Sequence, residues 1–430
     1  MRAAMKVLFT TEYYPPFAPG GSPWSIRLLA EALAARGHEI TVVTPNYGAA
    51  ARETVDGVTV ARYPFWRRLP AGAVMAPTRD TASPRFHFRM FRAAADEARR
   101  MRAAVLHAQD KHALVGTFVA ARRLRRPVFL TVRDTGLLCP ITTCLLTHDA
   151  VPPDCSSGKL QRECAPFYLR HYIGGGAARR ARVRANLAVL YADARLKRRL
   201  VNRVDGLVSV SRGLLDIYLK AGYGRANAAH VIYTLPPSAA RVDPGVVAGL
   251  RARLGLDGRR SVLYCGKLSL GKGGPVFLEA AQAVAVDHRD VTFLVAGPDE
   301  PPTVPGTDVR WLGRMPYDDM AALYAVADVV VVPSVGPEAL SRVPLEAAAA
   351  GRPTIGARAG GIPEEIDDRR TGLLVERNNT PALAAAMREL LDLDDVRRRL
   401  GDNARRFLSE RFDPDAIVTA LIDVYRRVAA

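Results

Sequence analysis

Short unbroken apolar runs alternate along this chain with longer stretches in which apolar residues return every third or fourth position. Residues 5–10 (MKVLFT) form the first run and read as a buried strand, followed by a Pro/Gly-rich loop over 15–21. Ile26, Leu29, Ala30 and Leu33 then recur at helical spacing, which predicts a helix over 25–36 that Gly37 ends, and 40–44 is the next strand. A strand, a helix and a strand in that order favour a parallel sheet covered by helices, because parallel neighbours need a crossover connection. The same alternation predicts strands over 104–107, 128–132 and 206–210 and helices over 113–123 and 212–221. Between them, 134–175 reads as irregular.

Leu235-Pro236-Pro237-Ser238 breaks the pattern and marks a linker. Beyond it the alternation restarts, with strands over 261–265, 291–296, 329–333 and 353–356 and helices over 275–286, 318–325 and near 344–350. Ile417, Leu421, Val424 and Tyr425 give 413–428 one apolar helical face. The expected fold class is α/β, with two doubly wound, Rossmann-like domains over 1–235 and 240–412.

Composition supports two cores: 430 residues with 49% hydrophobic content exceed one ordinary domain. No stretch reaches the roughly 18 continuous apolar residues of a membrane span, and the run after Lys6 is too short for a signal-peptide core, so a cytoplasmic, non-spanning protein is expected. The formal net charge is +18, and it is uneven: residues 1–240 carry +20 and residues 241–430 carry −2. A strongly basic half is drawn to anionic membrane, polyanionic substrate or nucleic acid, and charge alone does not choose among them.

Three constellations can carry chemistry. In PSVGPEALSRVPLEAAAAGRPTIG (333–356), Glu338 falls in a loop after a strand, and Pro344 belongs to a first helical turn, which places Glu346 near a helix N-terminus. A carboxylate there can accept two ribose hydroxyls while free amides face a phosphate, or it can simply complement the helix dipole. In YCGKLSLGKGG (264–274), Lys267 and Lys272 bracket a loop that begins at Gly266, so both ammonium groups can reach one diphosphate; a solvated loop is the plainer reading. In RAGGIPEEI (358–366), Gly360-Gly361 precede a helix start, which is also how an ordinary Gly-Pro turn reads.

In this order the pieces resemble the retaining glycosyltransferases of family 4, which have the GT-B fold of two Rossmann-like domains facing across a cleft. The resemblance rests on Glu338-x7-Glu346, the Gly-Lys-x4-Lys-Gly loop from Gly266 to Gly273, Gly360-Gly361-Ile362-Pro363-Glu364, Thr371-Gly372-Leu373-Leu374, and YPPFAPGG followed by RGHEITVVT near the N-terminus. It implies that Lys267 and Lys272 neutralise a donor diphosphate, Glu346 binds the nucleotide ribose and Glu338 lies beside the donor sugar. Gly20 and Gly21 would line the cleft from the first domain, and the closing helix, 413–430, would pack back on that domain. The implied reaction moves a sugar from a nucleotide-diphosphate donor to an acceptor hydroxyl with retention, without a cofactor or catalytic metal. Asp392-Leu393-Asp394 and Asp413-Pro414-Asp415 read as solvated helix-end acids.

The first domain is the acceptor side in this family. Within LTVRDTGLLCP (130–140), many relatives carry His before the Asp where this chain has Arg133, and a guanidinium stays protonated, so it is no general base. Asp134 is then the acceptor-side catalytic candidate, with an Arg133–Asp134 ion pair as the structural alternative. His107 and His112 flank the end of a predicted strand and are further candidates. Cys139, Cys144, Cys155 and Cys164 are spaced x4, x10 and x8, unlike the paired CxxC of common zinc modules; zinc, a disulfide and buried thiols all stay open.

The Arg-rich helices expected over 85–102 and 177–203 suit a peripheral position on anionic lipid and a lipid-linked or anionic acceptor in envelope polysaccharide or glycoconjugate synthesis. Two other readings remain: a sugar-nucleotide epimerase or hydrolase of the same architecture, and a nucleic-acid-binding protein, for which no recognised module is present.

Overall fold

The central strands of this chain are short, buried on both faces and mostly rich in Val, Leu, Ile or Phe, the composition a parallel sheet needs when helices cover it above and below. The computed structural model describes residues 4–72, 74–225, 228–237 and 242–429; Ser238 of the expected linker lies outside them. The chain divides into two compact units, Met1–Leu235 together with Pro414–Ala430, and Pro236–Asp413.

The first unit holds an eight-stranded sheet built from β1 (Lys6–Thr10), β2 (Glu39–Asn46), β3 (Arg52–Val55), β4 (Val58–Pro64), β5 (Val105–Ala108), β6 (Val128–Val132), β7 (Gly206–Ser209) and β8 (Ala229–Val231), in the order β3-β4-β2-β1-β5-β6-β7-β8. All neighbours are parallel except β3 and β4, a hairpin absent from the expected pattern. Its turn is Asp56-Gly57, both with positive φ (52° and 76°), the backbone that two-residue hairpins favour.

Two arginine-rich helices lie where expected, Pro84–Met101 and Ala177–Val201. The first is capped by the Ser83 hydroxyl, which accepts from Phe86 N–H, and buries Phe86, Met90, Ala94 and Ala98 on one face. Among the described residues no helix is long and apolar enough to cross a membrane. The region over 134–175 departs from the expected irregularity. A 3-10 turn (Thr143–Leu146) is followed by a short helix, Ser157–Lys159, that runs through a π-helical turn, Leu160–Cys164, into Ala165–His171.

The closing helix, Pro414–Ala429, buries Ile417, Val418, Leu421, Ile422, Val424 and Tyr425 within this first unit.

The second unit is an all-parallel sheet of β9 (Arg260–Cys265), β10 (Val291–Ala296), β11 (Val309–Gly313), β12 (Val329–Val332), β13 (Thr354–Ala357) and β14 (Gly372–Val375), ordered β11-β10-β9-β12-β13-β14. From β9 the chain winds outward through β10 and β11, then returns to the other side of β9 for β12. The connections therefore diverge beyond the carboxyl ends of β9 and β12, where open α/β sheets leave a crevice for ligands. In the first unit the same reversal falls between β1 and β5.

Candidate functional site

At the switch point of the second unit, the loop after β9 is stitched to the end of β10 and to the loop after β12. Gly266 N–H donates to Ala296 O (2.9 Å), and the Gly271 carbonyl accepts from both Val335 N–H and Gly336 N–H (3.0 and 2.9 Å). The Tyr264 hydroxyl donates to the Lys267 carbonyl at 2.6 Å. Gly273 has a φ of +71°, and a Cβ there would stand 1.9 Å from Pro333 O, so only glycine lets the two loops lie so close. The helix Gly274–Ala285 starts immediately beyond.

This arrangement delivers Lys272 to Glu338. The ammonium lies 2.7 and 2.8 Å from the two carboxylate oxygens, and the Ser334 hydroxyl donates to one of them at 2.6 Å. The loop after β13 closes the group, with Gly361 N–H donating to the Glu338 carbonyl at 2.9 Å. Gly360 sits at φ +59°, and a Cβ there would fall 2.1 Å from the same carbonyl oxygen. Lys272, Glu338, Gly360 and Gly361 are thus brought together, while Lys267 stands exposed at the start of the loop, its ammonium unpaired among the described residues. Gly360→Ala is expected to lower unfolding stability by roughly 2–4 kcal/mol, from the left-handed backbone plus the collision. Gly306→Ala, at φ +69° but with nothing within 4 Å, should cost only about 1 kcal/mol in the same denaturant titration. Equal losses at the two positions would refute the packing argument.

Glu346 is two residues further from the helix N-terminus than expected. The helix runs Arg342–Ala349 behind the Ser341 cap and has no acid in its first turn, so dipole complementation does not explain Glu346. Its carboxylate accepts from Arg342 Nε (2.9 Å) and from the Tyr324 hydroxyl (2.8 Å), and Arg342 also donates to the Tyr317 hydroxyl (2.8 Å). These three partners were not foreseen, although Arg342 lies four residues before Glu346 and so shares its helix face. Glu365 was also missed. It is buried, one oxygen accepts from Ser341 N–H at 2.9 Å, and the other has no hydrogen-bond partner. Burial, aided by the nearby Glu338 carboxylate, holds its carboxyl well above the usual range.

In the first unit, Asp110 ties the switch point together by accepting from Thr11 Oγ1, Glu12 N–H, His112 N–H and Ala113 N–H at 2.6–2.9 Å. The alternative of an Arg133–Asp134 ion pair is not what forms. Asp134 pairs with Lys111 (2.7 Å), whereas Arg133 donates to the Gln109 carbonyl and side-chain oxygen (3.0 and 2.8 Å). Burial pulls the Arg133 guanidinium down to about 10, so it remains charged near neutral pH.

His107 is corrected as an acceptor candidate. It lies inside β5, fully buried, with one ring nitrogen on Thr131 Oγ1 (2.7 Å) and the other on the Tyr425 hydroxyl of the closing helix. His112 Nε2 instead faces the Glu12 carboxylate at 3.4 Å, and burial pushes the Glu12 carboxyl up to about 8. Gly20 and Gly21 are exposed at the start of the helix Gly21–Ala35, which has no side-chain cap.

Comparison with known proteins bears on this arrangement. Residues 20–234, half of the chain, match the model of the glycosyl transferase 4-like domain, and residues 259–393 match that of the group 1 glycosyl transferases. The chain belongs to the family 4, group 1 glycosyltransferases. Within that family it is 32% identical over 190 residues to the alpha-D-kanosaminyltransferase of Streptomyces kanamyceticus, covering 42% of this chain and 49% of that protein. It is 33% identical over 192 residues to the D-inositol 3-phosphate glycosyltransferase of Corynebacterium kroppenstedtii, covering 41% and 42%. The chain thus spans about half the length of these relatives. The glycogen synthase of Mycobacterium tuberculosis is more distant, at 24% identity, but aligns over 98% of this chain and 94% of its own.

Among solved structures, Anabaena HepE in complex with UDP-glucose superimposes with a TM-score of 0.69 at 20% identity, over 98% of this chain and 100% of that one. Sucrose-phosphate synthase from Thermosynechococcus elongatus gives 0.70 at 20% identity, over 99% of both. At that identity the likeness concerns the fold, which is of the GT-B type.

Proposed function

We propose that this group 1 glycosyltransferase moves a sugar from a nucleotide-diphosphate donor to an acceptor hydroxyl, with the donor held at the switch point of the second unit. The Lys272–Glu338 pair, backed by Gly360 and Gly361 at the carboxyl ends of three adjacent strands, is the observation that carries this reading. Lys272 neutralises the diphosphate together with Lys267 and the positive end of the helix Gly274–Ala285. Glu346 accepts the ribose hydroxyls, and Glu338 lies beside the sugar. The UDP-glucose in the HepE complex is a donor of the chemical class this arrangement fits.

Transfer breaks the bond between the anomeric carbon and the diphosphate oxygen as the acceptor oxygen bonds to that carbon. The acceptor proton passes to the departing phosphate. Glu338 is already engaged by Lys272 and Ser334, which suits a front-face, retaining displacement better than attack by a protein nucleophile. No step in this scheme calls for a metal or other cofactor. On the first unit, Lys111, Asp134 and His112 are the acceptor-side groups, and the arginine-rich helices suit a lipid-linked or otherwise anionic acceptor at a membrane surface.

The reading is tested by screening nucleotide sugars for thermal stabilisation, then following nucleoside diphosphate release from the best donor with and without vesicles containing anionic lipid-linked acceptor. Acceptor-dependent release is the expected result. A change in the donor sugar without any acceptor would point to an epimerase, and stabilisation by RNA in place of nucleotide sugars would sink the proposal.

A further inference from the structure

Cys139, Cys144, Cys155 and Cys164 are free thiols, and among the described residues no group of three ligating side chains stands where it could hold a metal ion. The group that the proposed reaction leaves unexplained is Glu365. It is 4% exposed, and among the described residues its Oε1 is the only buried carboxyl oxygen without a hydrogen-bond partner.

Glu365 ends the four-residue turn Ile362–Glu365 that follows Gly361. Ile362 and Ile366 sink into an apolar cluster with Val332 and Ala359, against which Val343 and Leu374 pack, so the turn is fixed from both sides of Glu365. The stretch 338–341 runs beside it and is fastened at each end. Gly361 N–H donates to the Glu338 carbonyl (2.9 Å), and Glu365 Oε2 accepts from Ser341 N–H (2.9 Å). Glu338, paired with Lys272, stands at the first of these ties, and Ser341, which caps the helix carrying Glu346, stands at the second. Both donor-site carboxylates therefore take their places from one clamp, of which Glu365 is half.

A buried oxygen without a partner is far costlier as part of a carboxylate than as part of a neutral acid. Burial accordingly holds the Glu365 carboxyl well above the usual range. The Ser341 amide opposes this, the Glu338 carboxylate from the loop after β12 and Glu364 from the same turn reinforce it, and Lys272 from the loop after β9 opposes it. Ionisation would draw water to Oε1, loosen the tie to Ser341, and set a second carboxylate competing with the diphosphate for Lys272.

Resting on the donor reading above, we propose that Glu365 is the positioning residue of the donor site: as an uncharged acid it keeps Glu338 and the helix of Glu346 in register with Gly360 and Gly361, and release of its proton to solvent weakens the grip on the diphosphate.

The test is calorimetric titration of the full-length chain with UDP, ADP, GDP, CDP and dTDP between neutral and alkaline pH, read on the tightest binder. The unaltered chain should lose about tenfold more affinity over that range than Glu365→Gln. Glutamine still accepts from Ser341 N–H but has no proton to lose, and ionisation of the nucleotide is common to both chains. Unfolding gives a readout without ligand. Above the ordinary carboxylate range the unfolded chain releases a proton that the folded chain keeps, so the unaltered chain should lose stability relative to the variant as pH rises, until the folded carboxyl ionises too. A merely structural residue would move stability and leave the two affinity curves parallel. Parallel curves would overturn the proposal with the donor site still standing, whereas binding of none of the nucleotides would overturn the donor reading and this proposal with it. If the glutamine variant does not fold, hydrogen exchange across 338–346 of the unaltered chain decides. Its protection, corrected for the intrinsic rate, should drop over the same pH range as the affinity, and constant protection would overturn the proposal.

Discussion

Lys272→Ala is expected to lower kcat/KM for the preferred donor by about 10²–10³-fold, the scale on which removing one charge-stabilising donor acts in other enzymes. The leaving diphosphate gains negative charge as the sugar departs, so an ammonium held beside it matters more in the transition state than in the ground state. Stability should hardly change. The Lys272 side chain is 47% exposed, and an ion pair so placed contributes at most about 1 kcal/mol once solvent screening is counted. Activity and stability thus separate the two roles the residue can have. A purely structural lysine would move the unfolding midpoint slightly and leave turnover within a factor of a few. Lys267→Ala, which removes an exposed and unpaired ammonium, should cost about tenfold less than Lys272→Ala in the same assay.

Glu346→Gln should weaken binding of the matching nucleoside diphosphate by about 10–100-fold, with kcat much less affected, since ribose contacts are present in substrate and transition state alike. Glutamine is the informative replacement. Alanine would leave the largely buried Arg342 guanidinium without its carboxylate, and the loss from an uncompensated charge would be mixed with the loss of the ribose contact. A 2′,3′-dideoxy nucleotide completes the experiment: it should bind the unaltered protein poorly and the variant no worse than the normal nucleotide does. If deoxy and normal nucleotides are discriminated equally by both proteins, Glu346 does not read the ribose.

The parallel sheets were legible because their strands are continuous apolar runs of a length that only a doubly covered strand requires. The β3–β4 hairpin was missed although Asp56-Gly57 announced its turn, because 52–55 is a mostly exposed strand with no apolar run to notice. Pro344 suggests too late a start for the helix bearing Glu346, because proline is tolerated anywhere in a first turn, while Ser341, three residues earlier, is the cap. His107 was misjudged for a different reason. A histidine at the end of an apolar strand looks available to a ligand until its partner is known, and that partner, Tyr425, is 318 residues away. Lys111, 23 residues before Asp134, and Tyr324, 22 residues before Glu346, are nearer along the chain, but each pair is joined only when two different strand-to-helix segments meet in the fold. Glycines fared better, since Gly273 and Gly360 sit in motifs whose close loop contacts leave no room for a side chain.

The return of the helix Pro414–Ala429 to the first unit makes the second unit an insertion in the chain, entered after Leu235 and left at Asp413. Probes attached near Lys6 and near Arg427 would therefore ride on one body and be blind to movement of the other. To follow the second unit, one label must be placed between Pro236 and Asp413. For the same reason, expressing the first 235 residues alone would leave the face of the sheet that meets Tyr425 uncovered, whereas 236–413 can be excised as one uninterrupted piece.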